Sequence, residues 1–148
     1  MDNSYYQRFI ADDRSYFSLI KKDIHGIAEG AGFALNRLYD IDLIIAELTS
    51  NLHKHSTGGA EILVTLSAIN GNSFLEIICM DNGPGIGNLS KVLEDGYSSG
   101  TTIGHGLGSI KRLSDEFDIF SLQSWGTILL VRIYKTKNNI LQKNKTKF

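Results

Sequence analysis

Residues 60–85 read AEILVTLSAINGNSFLEIICMDNGPG. Two strand-length runs, about Ala60 to Ile69 and Ser73 to Asp81, flank Asn70-Gly71-Asn72, a strong signal for a tight β-hairpin. The second run is nearly continuous in apolar side chains, as expected of a central strand covered on at least one face. It stops on an acid, Asp81, with Gly83 and Gly85 behind it. Cys79, the single cysteine, sits inside that run and reads as a core thiol; it excludes an intramolecular disulfide and any multi-cysteine metal site.

Upstream of the hairpin, Tyr5 to Ile10 suits an edge strand. Asp12 and Asp13 precede a helical run with apolar residues at Tyr16, Phe17, Leu19, Ile20, Ile24 and Ile27, ended by Gly30 and Gly32. A second helix is expected to start after Asn36 or Asp40 and to reach about His55. Downstream, the pattern collapses from Asn82 to Gly108, where eight glycines fall in twenty-seven residues. A connection that long in a compact domain is usually functional. A third helix is expected over about Gly106–Glu116, then strands near Phe117–Gln123 and Thr127–Tyr134, turned at Ser124-Trp125-Gly126. The order β-α-α-β-β-loop-α-β-β is not the alternation of a doubly wound parallel sheet. It predicts an α/β (α+β) two-layer sandwich: a mixed, mostly antiparallel sheet with the helices on one face.

With 148 residues, 42% hydrophobic and 21% charged, the chain fits one globular domain, taken as 1–135. Residues 136–148 read as a lysine-rich mobile tail or linker. Lys135 to Phe148 hold five lysines and no acid, which leaves ten basic and sixteen acidic residues before them. A net charge of −1 gives no basis for nucleic-acid binding over the whole surface. No apolar stretch approaches the ~20 residues needed to span a bilayer. The first residues have no signal-peptide core. A cytoplasmic location is the expectation, without nucleic-acid or membrane partners.

Three constellations carry chemistry. On the second helix, Glu47, Asn51 and His55 recur at four-residue spacing and form a polar row bordering the stripe of Ile41, Ile45, Leu48 and Leu52. Half-buried there, a carboxylate and an amide need partners, which a hydrated cation or neighbouring backbone would supply. At the end of the central strand, Asp81-Asn82-Gly83-Pro84-Gly85-Ile86 is either an ordinary turn or a place where backbone approaches a ligand. Before the third helix, Gly104-His105-Gly106-Leu107-Gly108 would expose amide N–H groups, which favour phosphate. It is neither a Rossmann fingerprint nor a Walker A loop.

Taken together and in this order, the three resemble the N, G1 and G2 boxes of the GHKL ATP-binding superfamily. That group includes gyrase-type topoisomerases, heat-shock chaperones, sensor histidine kinases and mismatch-repair ATPases. The resemblance spans roughly Asp12 to Tyr134. It implies ATP and Mg²⁺ as cofactors, with Asn51 binding the metal and Glu47 as the catalytic base. It implies that Asp81 accepts the adenine amino group, supported by Thr127, and that Gly83, Gly85 and Ile86 border the purine. Gly104, His105, Gly106, Leu107 and Gly108 would cradle phosphate, and Asn82 to His105 would form a glycine-rich ATP lid, poorly ordered without nucleotide over about Gly87 to Ile103.

Within the superfamily, Glu94-Asp95-Gly96-Tyr97-Ser98-Ser99-Gly100 and Gly106-Leu107-Gly108-Ser109-Ile110-Lys111-Arg112-Leu113-Ser114-Asp115-Glu116-Phe117 resemble the anti-sigma-factor serine/threonine kinases, above all the RsbT-type switch kinases. They also resemble kinase-like domains fused to PP2C-type phosphatases. Full histidine kinases, topoisomerases and chaperones are set aside, because the chain shows neither a phosphoacceptor helix nor room for transducer domains. The resemblance implies phosphorylation of a STAS-domain anti-anti-sigma-type protein, with a sigma factor or a PP2C-type phosphatase as further partners and a homodimer as one assembly. The alternative is a nucleotide-gated binding module with little turnover.

Overall fold

The computed structural model describes residues 5–55, 59–83, 85 and 103–136. The elements are β1 (Gln7–Ile10), a short 3-10 turn (Arg14–Tyr16), α1 (Phe17–Gly30), α2 (Leu35–His55), β2 (Ala60–Ile69), β3 (Asn72–Asp81), α3 (Ile103–Leu113), β4 (Glu116–Leu122) and β5 (Gly126–Tyr134). The strands form one sheet in the order β1-β2-β3-β5-β4. The expected sheet was mostly antiparallel; every pairing among the described strands is antiparallel.

The β2–β3 hairpin closes as its sequence requires. Ile69 pairs with Asn72, and Asn70 and Gly71 both take positive φ, 52° and 80°. That two-residue geometry matches the twist of the flanking strands. It also fixes the register, and so decides which side chains face the helices. Three cross-strand rows result: Phe9–Ile62–Cys79–Leu129–Ile119, Val64–Ile77–Val131–Phe117, and Leu66–Leu75–Ile133. All belong to one core with Ile20, Ile24 and Ala28 of α1, Ile41, Ile44, Ile45 and Leu48 of α2, and Leu107 and Ile110 of α3. The helices therefore cover one face of the sheet. On the other face, Arg132 donates to Glu76 (2.8 Å) and Glu116 (3.0 Å) and lies 4.7 Å above the Phe74 ring.

Two helix boundaries differ from the sequence expectation. α2 begins at Leu35, before either polar residue taken as a cap; the N–H groups of Arg37 and Leu38 bond to the Ala34 carbonyl at 3.0 Å instead. α3 runs from Ile103 to Leu113, about a turn earlier than expected. The Ser114 N–H still makes the helical bond to the Ile110 carbonyl, which the Ser114 hydroxyl also reaches, but the next N–H, of Asp115, bonds to the Arg132 carbonyl in the sheet and the helix ends. The tail boundary at 135/136 rests on residues 137–148, outside the described residues.

Arg37 ties these ends together. Its side chain is 1% exposed. Its guanidinium donates to Asp115 (2.6 Å), Asp40 (3.2 Å) and the Tyr134 carbonyl (3.1 Å). Asp115 in turn accepts the Tyr134 N–H at 2.8 Å. A buried ion pair of this kind is costly to break on one side, because the remaining charge stays buried without a partner. Arg37→Met is expected to lower stability by about 3–5 kcal/mol, and adding Asp115→Leu to restore part of it. Urea unfolding of both variants measures this, and additive losses would contradict it.

His25 links α1 to α2. Its Nδ1 lies 2.8 Å from Asp42 and its Nε2 lies 3.6 Å from Glu29. The hydrogen bond to Asp42 raises its pKa above the ordinary 6.5, opposed by partial burial. The folded state thus favours the protonated ring. Its contribution is complete below about pH 6.5 and is lost as pH rises through the elevated folded value. The stability difference between wild type and His25→Gln should therefore shrink as pH is raised above that point. Denaturation measured across the pH range tests it; a difference that grows with pH would refute it.

Candidate functional site

α2 has to serve two surfaces. Its inner side buries Ile41, Ile44, Ile45, Leu48 and Leu52, while Glu47 and Asn51 fall half-buried at the margin. The helical repeat alone puts them there, since steps of four residues drift only ~40° around the axis. The backbone of His55 closes α2, but its side chain lies outside the described residues.

The first turns of α3 pack against that margin. A methyl group at Gly106 would stand 2.9 Å from Asn51 Oδ1, 3.0 Å from its Nδ2 and 3.1 Å from Glu47 Oε2. Real Cβ contacts are essentially never shorter than 3.0 Å, so glycine is what allows the approach. Two of the three constellations, far apart in sequence, therefore meet side by side. Gly106, Leu107 and Gly108 are buried. The glycine cluster expected just before the third helix forms its first turns instead. The N–H groups of a first helical turn have no intrahelical partner, so donors for an anion remain at this end. The side chains of Ile103 to His105 lie outside the described residues, as do Ile86 and the rest of the expected lid from 86 to 102.

The third constellation sits at the end of β3. Asp81 pairs across the sheet with Ala60 on one side and Thr127 on the other. Strand alternation puts it on the same face as Cys79, which belongs to the core under the helices. Burial, then the nearby Asp81 charge, pushes the Cys79 thiol up to about 12, so it is a packing residue as the sequence suggested. Asp81 Oδ1 accepts the Gly83 N–H at 2.8 Å and fixes the turn that follows. Thr127 Oγ1 lies 2.8 Å from Ser121 Oγ. Gly85 takes φ +77°, and a Cβ there would meet the Leu122 carbonyl oxygen at 2.1 Å. Packing against the β4–β5 hairpin demands glycine at 85, whatever approaches the strand end.

Sequence reasoning did not single out Arg37 and Asp115, which hold α2 and the end of α3 against β5. The signal was an arginine flanked by the apolar positions of an amphipathic helix, where a charge must be paired.

The sandwich and the meeting of α2 with α3 define a nucleotide-binding fold of the histidine kinase-like ATPase type. The chain belongs to that family, the GHKL superfamily: the histidine kinase-like ATPase domain matches residues 10–133. Among its relatives is the serine/threonine-protein kinase RsbT of Bacillus subtilis, 38% identical over 101 residues, covering 68% of this chain and 75% of that protein. An anti-sigma F factor of Bacillus cereus is 25% identical over 111 residues, covering 72% of this chain and 76% of the relative.

Gly106 yields a test with opposing signs. Alanine is favoured over glycine in a helix by about 1 kcal/mol, and the obstruction is the movable end of two side chains. Gly106→Ala should therefore melt at or above the wild-type temperature, yet lose about tenfold in ATP affinity as Asn51 and Glu47 are displaced. Calorimetric titration beside a melting curve checks this; wild-type affinity in the variant would count against the site.

Proposed function

We propose that this chain is an ATP- and Mg²⁺-dependent serine/threonine protein kinase of a bacterial partner-switching system, acting in the cytoplasm on a STAS-domain regulator. The observation that carries the reading is the contact of Gly106 with Asn51 and Glu47: an amide, a carboxylate and a helix N-terminus share one place. The likeness to the RsbT kinase supports the same activity.

The residues fit a magnesium ion. The described residues hold no cluster of three or more His, Cys, Asp or Glu side chains that would cage a metal. Mg²⁺ takes few protein ligands and completes its shell with water and phosphate oxygens, so the Asn51 amide oxygen alone is an adequate anchor. The ion, when bound, neutralises phosphate charge. Asp81, at the end of β3, would read the adenine, with Thr127 opposite it in the pairing. The first turn of α3 would hold phosphate by its unpaired N–H groups. Glu47 would accept the proton of the attacking hydroxyl; phosphoryl transfer asks for little more than this positioning and charge.

A nucleotide-gated switch that binds a sigma factor or a PP2C-type phosphatase with little turnover is the second reading, favoured by the likeness to the anti-sigma F factor. Glu47 separates the two. A base gains its partner only as the transition state forms, so its loss lowers kcat more than binding. Glu47→Ala should retain Mg·ATP affinity while phosphorylation of the STAS protein falls about a hundredfold. Asn51→Ala should lose both. A transfer assay with labelled ATP, run beside nucleotide titrations, decides. Tight binding of ATP and partner by wild type with no phosphate transferred would replace the kinase with the switch.

A further inference from the structure

α2 is apolar on both sides. Opposite its buried stripe, Leu35 is 63% exposed, Tyr39 59% and Leu43 54%, and Ala46 is exposed between them and the site. The solvent side of a surface helix is ordinarily charged, and a helix apolar all round is ordinarily covered. The row continues with the same four-residue step: Leu35, Tyr39 and Leu43 lead to Glu47. We infer that this outer face of α2 is the docking surface for the protein acceptor, which lays an apolar segment flanked by lysine or arginine along α2 and thereby brings its hydroxyl to Glu47.

The inference rests on the kinase reading and adds to it the surface that selects the substrate. Continuity with Glu47 is the first argument. A protein acceptor must be held beyond its reacting hydroxyl, because positioning supplies most of the acceleration in phosphoryl transfer. The surface adjoining Glu47 along its own helix is the apolar row. Charge is the second. Between Leu35 and Glu47 the charged residues are Arg37, Asp40, Asp42 and Glu47. Arg37 is buried and shared between Asp40 and Asp115, and His25 of α1 faces both Asp42 and Glu29, so even with these ion pairs carboxylates outnumber cations along this stretch. An acidic rim around an apolar row suits a segment with basic flanks. A second exposed group, Phe120, Leu122 and Trp125 on the β4–β5 hairpin, does not compete: Phe120 alternates with core-facing Ile119 and so faces away from the helices.

The test is Tyr39→Gln/Leu43→Gln, which keeps good helix formers at two exposed positions outside the binding machinery. Leu43→Gln alone is the milder variant should the pair fail to fold. The probe is the STAS-domain protein phosphorylated in the transfer assay. The KM for that protein is expected to rise tenfold or more, while kcat at saturating acceptor, affinity for Mg·ATP and the melting curve stay at wild-type values. The wild-type KM should also rise as salt is added. An unchanged KM in the variant overturns the inference. So does weaker nucleotide binding, which would mean that another part of this chain covers the face, or a loss of self-association with KM unchanged, which would assign it to a second copy. If wild type transfers no phosphate, the kinase reading itself fails; if transfer occurs and depends on Glu47 but not on Tyr39 and Leu43, the docking surface alone is wrong.

Discussion

The structure depends on α2 lying across the single apolar face of an antiparallel sheet. Ile41, Ile44 and Ile45 are completely buried against that face, and β3, in the middle of the sheet, contributes Leu75 and Ile77, buried as fully. Once those residues are fixed, the helical repeat fixes which way every other position of α2 faces. The pitch of the helix places Glu47 and Asn51 at the edge of the contact, and the register of the β2–β3 hairpin brings Asp81 to the edge of the same layer. The site is a by-product of where the core ends. Moving one core residue of α2 to another position on its circumference would rotate both site residues with it.

Much of this is legible in the sequence because the signals are local and strong. Asn70-Gly71 between two apolar runs dictates a two-residue turn, and the turn dictates the register. The four-residue spacing of Glu47 and Asn51 is likewise geometry that any α-helix realises. Helix starts were harder for a physical reason. α2 is opened by the Ala34 carbonyl and not by a polar side chain, so Asn36 and Asp40 pointed to starts too far along. α3 takes in glycines that propensity would leave in a loop. Its start is settled by burial of Leu107 and Ile110, a tertiary contribution that outweighs local preference.

What sequence could not yield are the interactions whose partners lie far apart along the chain. Arg37 meets Asp115 and the Tyr134 carbonyl, and neither residue carries a pattern that names the other. The same holds for the outer side of α2. A helical wheel shows that Leu35, Tyr39 and Leu43 are apolar, but only their exposure shows that the fold leaves them uncovered.

The composition of α3 has an energetic consequence for how the site operates. Glycines at 104, 106 and 108 each cost a helix about 1 kcal/mol relative to alanine. Gly106 leaves Asn51 and Glu47 room to stand where they do. Helix formation at this end is thus weakly favoured by the chain itself and leans on the burial of Leu107 and Ile110. An anion held by the N–H groups of the first turn would add favourable interaction to the helical state and not to a frayed one. A ligand shifts such an equilibrium by its differential affinity for the two states. On the proposed reading, that difference would be concentrated in the first turn of α3. On the proposed kinase reading, nucleotide would tighten α3 against α2 at the point where Glu47, the proposed base, stands, while the Arg37–Asp115 pair holds the opposite end of α3 fixed to the sheet.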